Sequence, residues 1–126
     1  MPSDVAIRLT ERTMRFALRT IRLCQSLPES WEGRFVADQL FRAAARTAAN
    51  YRAACRARSR RDFVNKLGMA VEEADESAFW LEFAARVQMT SAADHRQLLQ
   101  ESLELVSILN SSAKTAADNL KSSLHH

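Results

Sequence analysis

The chain has 126 residues, 47% of them hydrophobic, with two glycines, two prolines and a formal net charge of +3. That length makes one domain able to bury a core without disulfide or metal staples, and the dominance of Ala, Leu, Arg and Glu points to an all-α protein. Two cysteines are too few for a disulfide framework or a metal quartet, no charged-then-apolar leader opens the chain, and no apolar run approaches a membrane span, so the expectation is a cytoplasmic protein without a membrane.

The mild net charge hides an asymmetry. Residues 1–66 hold fourteen Lys or Arg against six Asp or Glu, and residues 67–126 hold four against nine. Fifteen of the eighteen cations are Arg, whose planar fork suits phosphate and carboxylate oxygens. A basic front and an acidic back either neutralise each other within the bundle or draw subunits together head to tail.

The first predicted helix runs over about 5–27. Arg8, Arg12, Arg15, Arg19 and Arg22 recur in it at helical spacing, and at about 100° per residue they fall within an arc of about 80°. Such a ridge of like charge repels itself. Leu9, Phe16, Thr20, Leu23 and Leu27 form the inward stripe, with Cys24 on the same apolar side. Met14, Leu18 and Ile21 form a second apolar stripe beside it. Leu27-Pro28-Glu29-Ser30 ends the helix, because proline disfavours helix in the residue before it.

The second helix is expected over 31–58, with Val36, Leu40, Ala44, Thr47, Ala48, Tyr51 and Ala54 inward; its alanines imply close helix approach. Cys55 is placed with this apolar face, as a buried thiol. Arg34, Arg42, Arg46, Arg52 and Arg56 fall within about 120° on the opposite side. Arg58, Arg60 and Arg61 carry the charge into a turn where Ser59 and Asp62 have capping-box spacing.

The third helix, 60–89, carries the clearest seam: Phe63, Leu67, Ala70, Val71, Ala74, Ala78, Leu81 and Ala85. Met69, Trp80, Phe83 and Val87 lie roughly opposite it and mark an oligomer contact; the alternative is a wide core face with Trp80 across a helix boundary. Ser91 caps the fourth helix, 92–121, whose inward positions are Leu98, Ser102, Leu105, Leu109, Ala113, Ala116 and Leu120. Short connections make neighbours antiparallel, which gives an up-down-up-down four-helix bundle over residues 1–122. Residues 123–126 form a tail in which His125 and His126 resemble an affinity-tag remnant.

No catalytic or cofactor pattern emerges. Glu72, Glu73, Asp75 and Glu76 spread around their helix away from the core, without the inward Glu-x-x-His of a di-iron bundle. His95 has no ligand constellation around it, and neither a Gly-rich phosphate loop nor a nucleophile elbow occurs. The expectation is a non-enzymatic protein without cofactor. Twelve of its thirteen arginines from Arg8 to Arg61, all but Arg58, either contact nucleic-acid phosphates with steep salt dependence, dock on an acidic protein surface, or pair with carboxylates of neighbouring helices or subunits.

The middle of the chain is also similar to a known family. Gln39-Leu40-Phe41-Arg42-Ala43-Ala44, Ala49-Asn50-Tyr51-Arg52-Ala53-Ala54, Ala57 to Phe63, Lys66-Leu67, Glu72 to Ser77 and Phe79-Trp80-Leu81-Glu82 form the series. It resembles the bacterial four-helix-bundle proteins encoded in intervening sequences of 23S rRNA genes, over residues 9 to 110. The resemblance implies an antiparallel bundle, often a homopentameric ring, with no attached enzymatic activity. It also implies kinship with the accessory protein of diversity-generating retroelements, which binds nucleic acid and a reverse transcriptase. Many members carry Ser where Arg46-Thr47 stands and an acidic residue near Ala53, so this chain is more basic there.

Overall fold

The computed structural model describes residues 3–124 as four helices and no strand. They are α1 (Asp4–Ser26), α2 (Trp31–Cys55), α3 (Arg60–Arg86) and α4 (Ala92–Leu124). Helices adjacent in sequence are adjacent in space, with α2–α3 and α3–α4 the broadest contacts and α1–α4 the narrowest. The architecture is the expected antiparallel bundle. His125 and His126 lie outside the described residues.

Local chemistry sets the boundaries. Ser3, Ser30 and Ser59 cap α1, α2 and α3, each hydroxyl accepting from the backbone N–H three residues on, at 3.1 Å. At the start of α4 the Ser91 carbonyl accepts from His95 N–H and its hydroxyl meets the Asp94 carboxylate at 3.4 Å. Leu27, ahead of Pro28, turns extended with ψ of 154° and stops α1. α3 ends three residues before the expected Met89. Gln88 adopts φ of 61°, and the N–H groups of Gln88 and Met89 return to the carbonyls of Ala85 and Ala84. This is a Schellman closure, and Met89 anchors it on the apolar cluster of Leu27, Val36 and Ala84.

The main core joins Leu9, Phe16 and Leu23 of α1, Leu40, Tyr51 and Ala54 of α2, Leu67, Ala74 and Leu81 of α3, and Leu98, Leu105 and Leu109 of α4. Inside it, Thr13, Thr20, Thr47 and Ser77 are fully buried, each hydroxyl donating to the carbonyl four residues back. Ser102 instead donates across the α3–α4 interface to Ala74 O at 2.8 Å. Phe63, Val71, Ala85, Ala113 and Ala116 are only half-buried, whereas Ser77 and Ala84 close the α3 face. The core therefore lies rotated slightly from the expected seam, toward the small residues that let helices approach.

The two glycines make opposite predictions. A Cβ on Gly33 would sit 1.9 Å from the Pro28 carbonyl oxygen, whereas one on Gly68 would meet nothing within 4 Å. Gly33→Ala should cost about 1–3 kcal/mol by overpacking against backbone. Gly68→Ala should stabilise the helix by about 0.5–1 kcal/mol. Urea titration of both variants measures the pair; equal and opposite signs to these would refute the packing described.

Candidate functional site

The α1 ridge does not survive as five equivalent arginines. Arg12 turns toward α4, where its Nε and Nη2 donate to the two Glu101 carboxylate oxygens at 2.8 and 2.7 Å, with Glu104 at 3.4 Å. Hydrogen bonding to Glu101 raises the Arg12 pKa above its ordinary value. A bidentate, half-buried pair of this kind is a structural tie between the first and last helices. Arg8, Arg15 and Arg22 remain exposed and Arg19 half-buried. Arg15 reaches Glu11 only at 4.0 Å with both side chains 70% exposed, a contact worth little.

On α2, Arg34 donates to the Glu29 carbonyl at 3.4 Å and Arg42 lies 3.2 Å from Asp38. Arg46 faces Glu73 of α3. Arg52, Arg56, Arg58, Arg60 and Arg61 are all exposed, and none forms an ion pair with the described residues. They crowd the end of the bundle where α2 turns into α3. Arg60 and Arg61 stand in the first turn of α3, where cations oppose the helix dipole at about 0.3–1 kcal/mol each. An anion bound there would reverse that penalty.

Beside this cluster a cleft of about 800 Å³ opens between α1 and α2, lined by Ala6, Ile7, Thr10, Glu11, Arg52, Cys55 and Arg56. Cys55 is exposed on its wall, not buried, because the core beneath α2 ends at Ala54 and the cleft separates Cys55 from α1. Cys24 is half-buried, its thiol 3.5 Å from Ala37 O and pushed up to about 11 by desolvation.

Two apolar faces flank α2. On one side Met14, Leu18 and Ile21 border a groove of about 410 Å³ closed by Phe41, Ala45 and Ala49; Leu18 is 56% exposed. On the other, Trp80 is half-buried across the α2–α3 boundary, its ring centroid 5.7 Å from Phe35 and 4.9 Å from Phe79. The wide-face alternative thus describes Trp80 itself. Met69, Phe83 and Val87 are exposed as expected, and Trp31, Phe35 and Phe79 join that surface.

Glu72 and Glu76 are exposed on α3, but the Glu73 carboxylate has one oxygen, Oε2, buried without a hydrogen-bond partner. Its pKa is raised, first by desolvation, then by Glu76 and Glu72, against a lowering pull from Arg46. A raised carboxyl favours the fold when protonated, so this contribution is present below the unfolded pKa and lost as pH rises through the folded one. Glu73→Gln should stabilise the protein at neutral pH by about 1 kcal/mol. The gain should vanish in acid where the native carboxyl is protonated, which thermal melts across pH 3–7 measure; a pH-independent difference would contradict it. His95 is buried with its Nε2 unpaired. Among the described residues no three His, Cys, Asp or Glu side chains converge to hold a metal, and no helix is long and apolar enough to cross a membrane.

The model of the 23S rRNA-intervening sequence proteins matches residues 6–111, which hold every candidate arginine and both apolar faces. The chain belongs to that family. The family's bundle recurs in a solved structure from Bacteroides thetaiotaomicron, described as a protein of unknown function from the S23 ribosomal protein family. The two share 30% identity over 83% of this chain and 97% of that one, with a TM-score of 0.78. No curated protein matches. In this 23S rRNA-intervening sequence protein, reading the sequence missed Trp31, Phe35 and Phe79 as surface groups. The signal was present: Trp31 and Phe35, like Phe79 and Phe83, stand four apart and share a helix face.

Proposed function

We propose that this protein is a non-enzymatic, homo-oligomeric accessory module that binds the backbone of RNA or DNA through its arginine-rich face. The observation that carries this is the cluster of Arg52, Arg56, Arg58, Arg60 and Arg61, exposed and without carboxylate partners among the described residues. Five arginines held together repel one another in the free protein, and phosphates remove that repulsion while releasing counterions. Arg34 and Arg42 extend the cluster along the outward face of α2, and Arg8, Arg15, Arg19 and Arg22 supply a second strip on α1. Arg12 leaves the set, because Glu101 already holds it. Base reading has no part in this reading: the exposed aromatics lie toward the opposite end of the bundle, where stacking and phosphate contacts cannot act on the same nucleotides.

Assembly belongs to the same proposal, with Met14, Leu18, Ile21, Met69, Phe83 and Val87 as contact residues; the family resemblance favours five copies. A ribonucleoprotein or reverse transcriptase is the natural larger partner for such a module. One observation favours a second reading, a scaffold whose arginines dock on acidic protein surfaces: the Arg12–Glu101 fork shows that an arginine of the ridge accepts a carboxylate. Photo-crosslinking to labelled RNA and duplex DNA, with adducts mapped by mass spectrometry, separates the two. Adducts on residues 52–61 support the nucleic-acid reading; adducts absent there, with crosslinks to acidic proteins instead, overturn it.

A further inference from the structure

The antiparallel order of the bundle sets the start of α1 beside the end of α2, and the cleft of about 800 Å³ between them lies inside the unpaired arginine cluster. Its two walls differ. Arg52 and Arg56 stand on the α2 wall, four residues apart and so on one helix face, with about 5–6 Å between Cβ atoms. Ala6, Ile7, Thr10 and Glu11 form the α1 wall, where Ile7 is 54% exposed. Cys55, also exposed, lines the α2 wall beside the arginines.

These walls orient a nucleic-acid strand. The two arginines attract its phosphates. Glu11, whose contact with Arg15 at 4.0 Å is too loose to neutralise it, repels them from α1. The strand's backbone therefore runs along α2, and what its sugars carry points across toward Ala6 and Ile7. A nucleobase fits that position: its flat faces lie against aliphatic side chains, and its polar edge meets Thr10, whose hydroxyl both donates and accepts. A bare phosphate leaves the apolar wall empty, and a wholly apolar ligand leaves both arginines unpaired. In a continuous duplex the bases are stacked inside, whereas an unpaired nucleotide enters the cleft with little unstacking cost. No aromatic ring lines the cleft and Thr10 serves any base edge, so the contact distinguishes unpaired from paired nucleotides, not one base from another.

We infer that the α1–α2 cleft takes the base of an unpaired nucleotide while Arg52 and Arg56 hold the phosphates on either side of it. This rests on the nucleic-acid reading above and names the form of nucleic acid that the site prefers. The rest of the arginine cluster engages the paired flanks, so the best ligand is a duplex interrupted by a bulge.

Two labelled RNA duplexes, identical except for one bulged nucleotide, test it with Cys55 as the reporter. The bulged duplex should bind about tenfold tighter, from the apolar area that the base buries. That ratio should hold across salt concentrations, because the added contact is uncharged. At saturation the bulged duplex should slow alkylation of Cys55 by iodoacetamide, followed by mass spectrometry, more than the paired duplex does. Cys24, half-buried away from the cleft, is the internal reference. Ile7→Asn, neutral and at an exposed position, should bring the affinity ratio of the two duplexes close to one, with folding checked by circular dichroism. Equal affinity of the native protein for both duplexes, equal alkylation of Cys55 in both complexes, or a preference that Ile7→Asn leaves intact overturns the base contact while phosphate binding stands. Failure to bind either duplex overturns both.

Discussion

Replacing Arg52, Arg56, Arg60 and Arg61 together by Gln should weaken binding to structured RNA and duplex DNA on the order of 100- to 1,000-fold at moderate salt. The expectation follows from counterion release, in which each neutralised phosphate contributes about 0.9 to the slope of log K against log salt on duplex DNA. Losing four contacts should flatten that slope by about 3 to 4. The loss should be uniform across sequences, because backbone contacts carry register and affinity but no base identity. Stability should change little or rise, since Arg60 and Arg61 oppose the α3 dipole. Arg12→Gln is the contrasting control: it should leave the slope nearly intact and cost stability, because Glu101 loses its bidentate partner. If the quadruple variant binds like the native protein while Arg12→Gln does not, the interface lies on α1 and not at the α2–α3 turn.

Phe16→Ala should be the most damaging single change to the fold. Phe16 is 0% exposed, and its α1 position places it in the cluster that draws on all four helices. Truncating a fully buried Phe removes its transfer free energy and leaves a cavity that closely packed neighbours fill only in part, at about 3–5 kcal/mol. A domain of this size has about 5–15 kcal/mol in all, so the variant should melt on the order of 10–20 °C lower. The neighbouring Thr20 hydroxyl donates to Phe16 O, and that bond survives the truncation, so local α1 helicity should persist while tertiary packing loosens. Thermal melts at one fixed protein concentration measure this, because self-association shifts apparent stability. A loss under about 1 kcal/mol would mean that α1 is not part of the core as described.

The seams that build the bundle were legible because a buried stripe repeats every three or four residues along one helix. Leu67, Ala70, Ala74 and Leu81 needed no knowledge of their neighbours to be placed inward. The capping serine Ser59 was equally local. Arg12 was not: on its own helix it is one of five equivalent cations, and only Glu101, 89 residues away, distinguishes it. The same limit explains Trp80, whose burial depends on Phe35 arriving from α2. Cys55 was misread because an apolar position in the last turn of a helix has core beneath it only if the neighbouring helix is still in contact there. Faces are written in the sequence; which face meets which neighbour is decided by packing.

The candidate arginines divide on the same principle. Those on α1 and α2 share a periodicity, yet Arg12 is tied to α4, Arg42 to Asp38 and Arg46 to the vicinity of Glu73. The five around the α2–α3 turn have no such partners: Asp62 forms no ion pair with them, and the next acidic residue of α3, Glu72, lies about three turns further along.

The role proposed for this unpaired cluster is to bind nucleic-acid phosphates. The most direct test is the affinity of the native protein for a labelled structured RNA and for duplex DNA, titrated from about 50 to 200 mM salt. Binding to both is expected at low salt, with little dependence on sequence and a fall of on the order of 1,000-fold across that range. No binding at the lowest salt, or binding indifferent to salt, would contradict it and leave the arginines to protein surfaces.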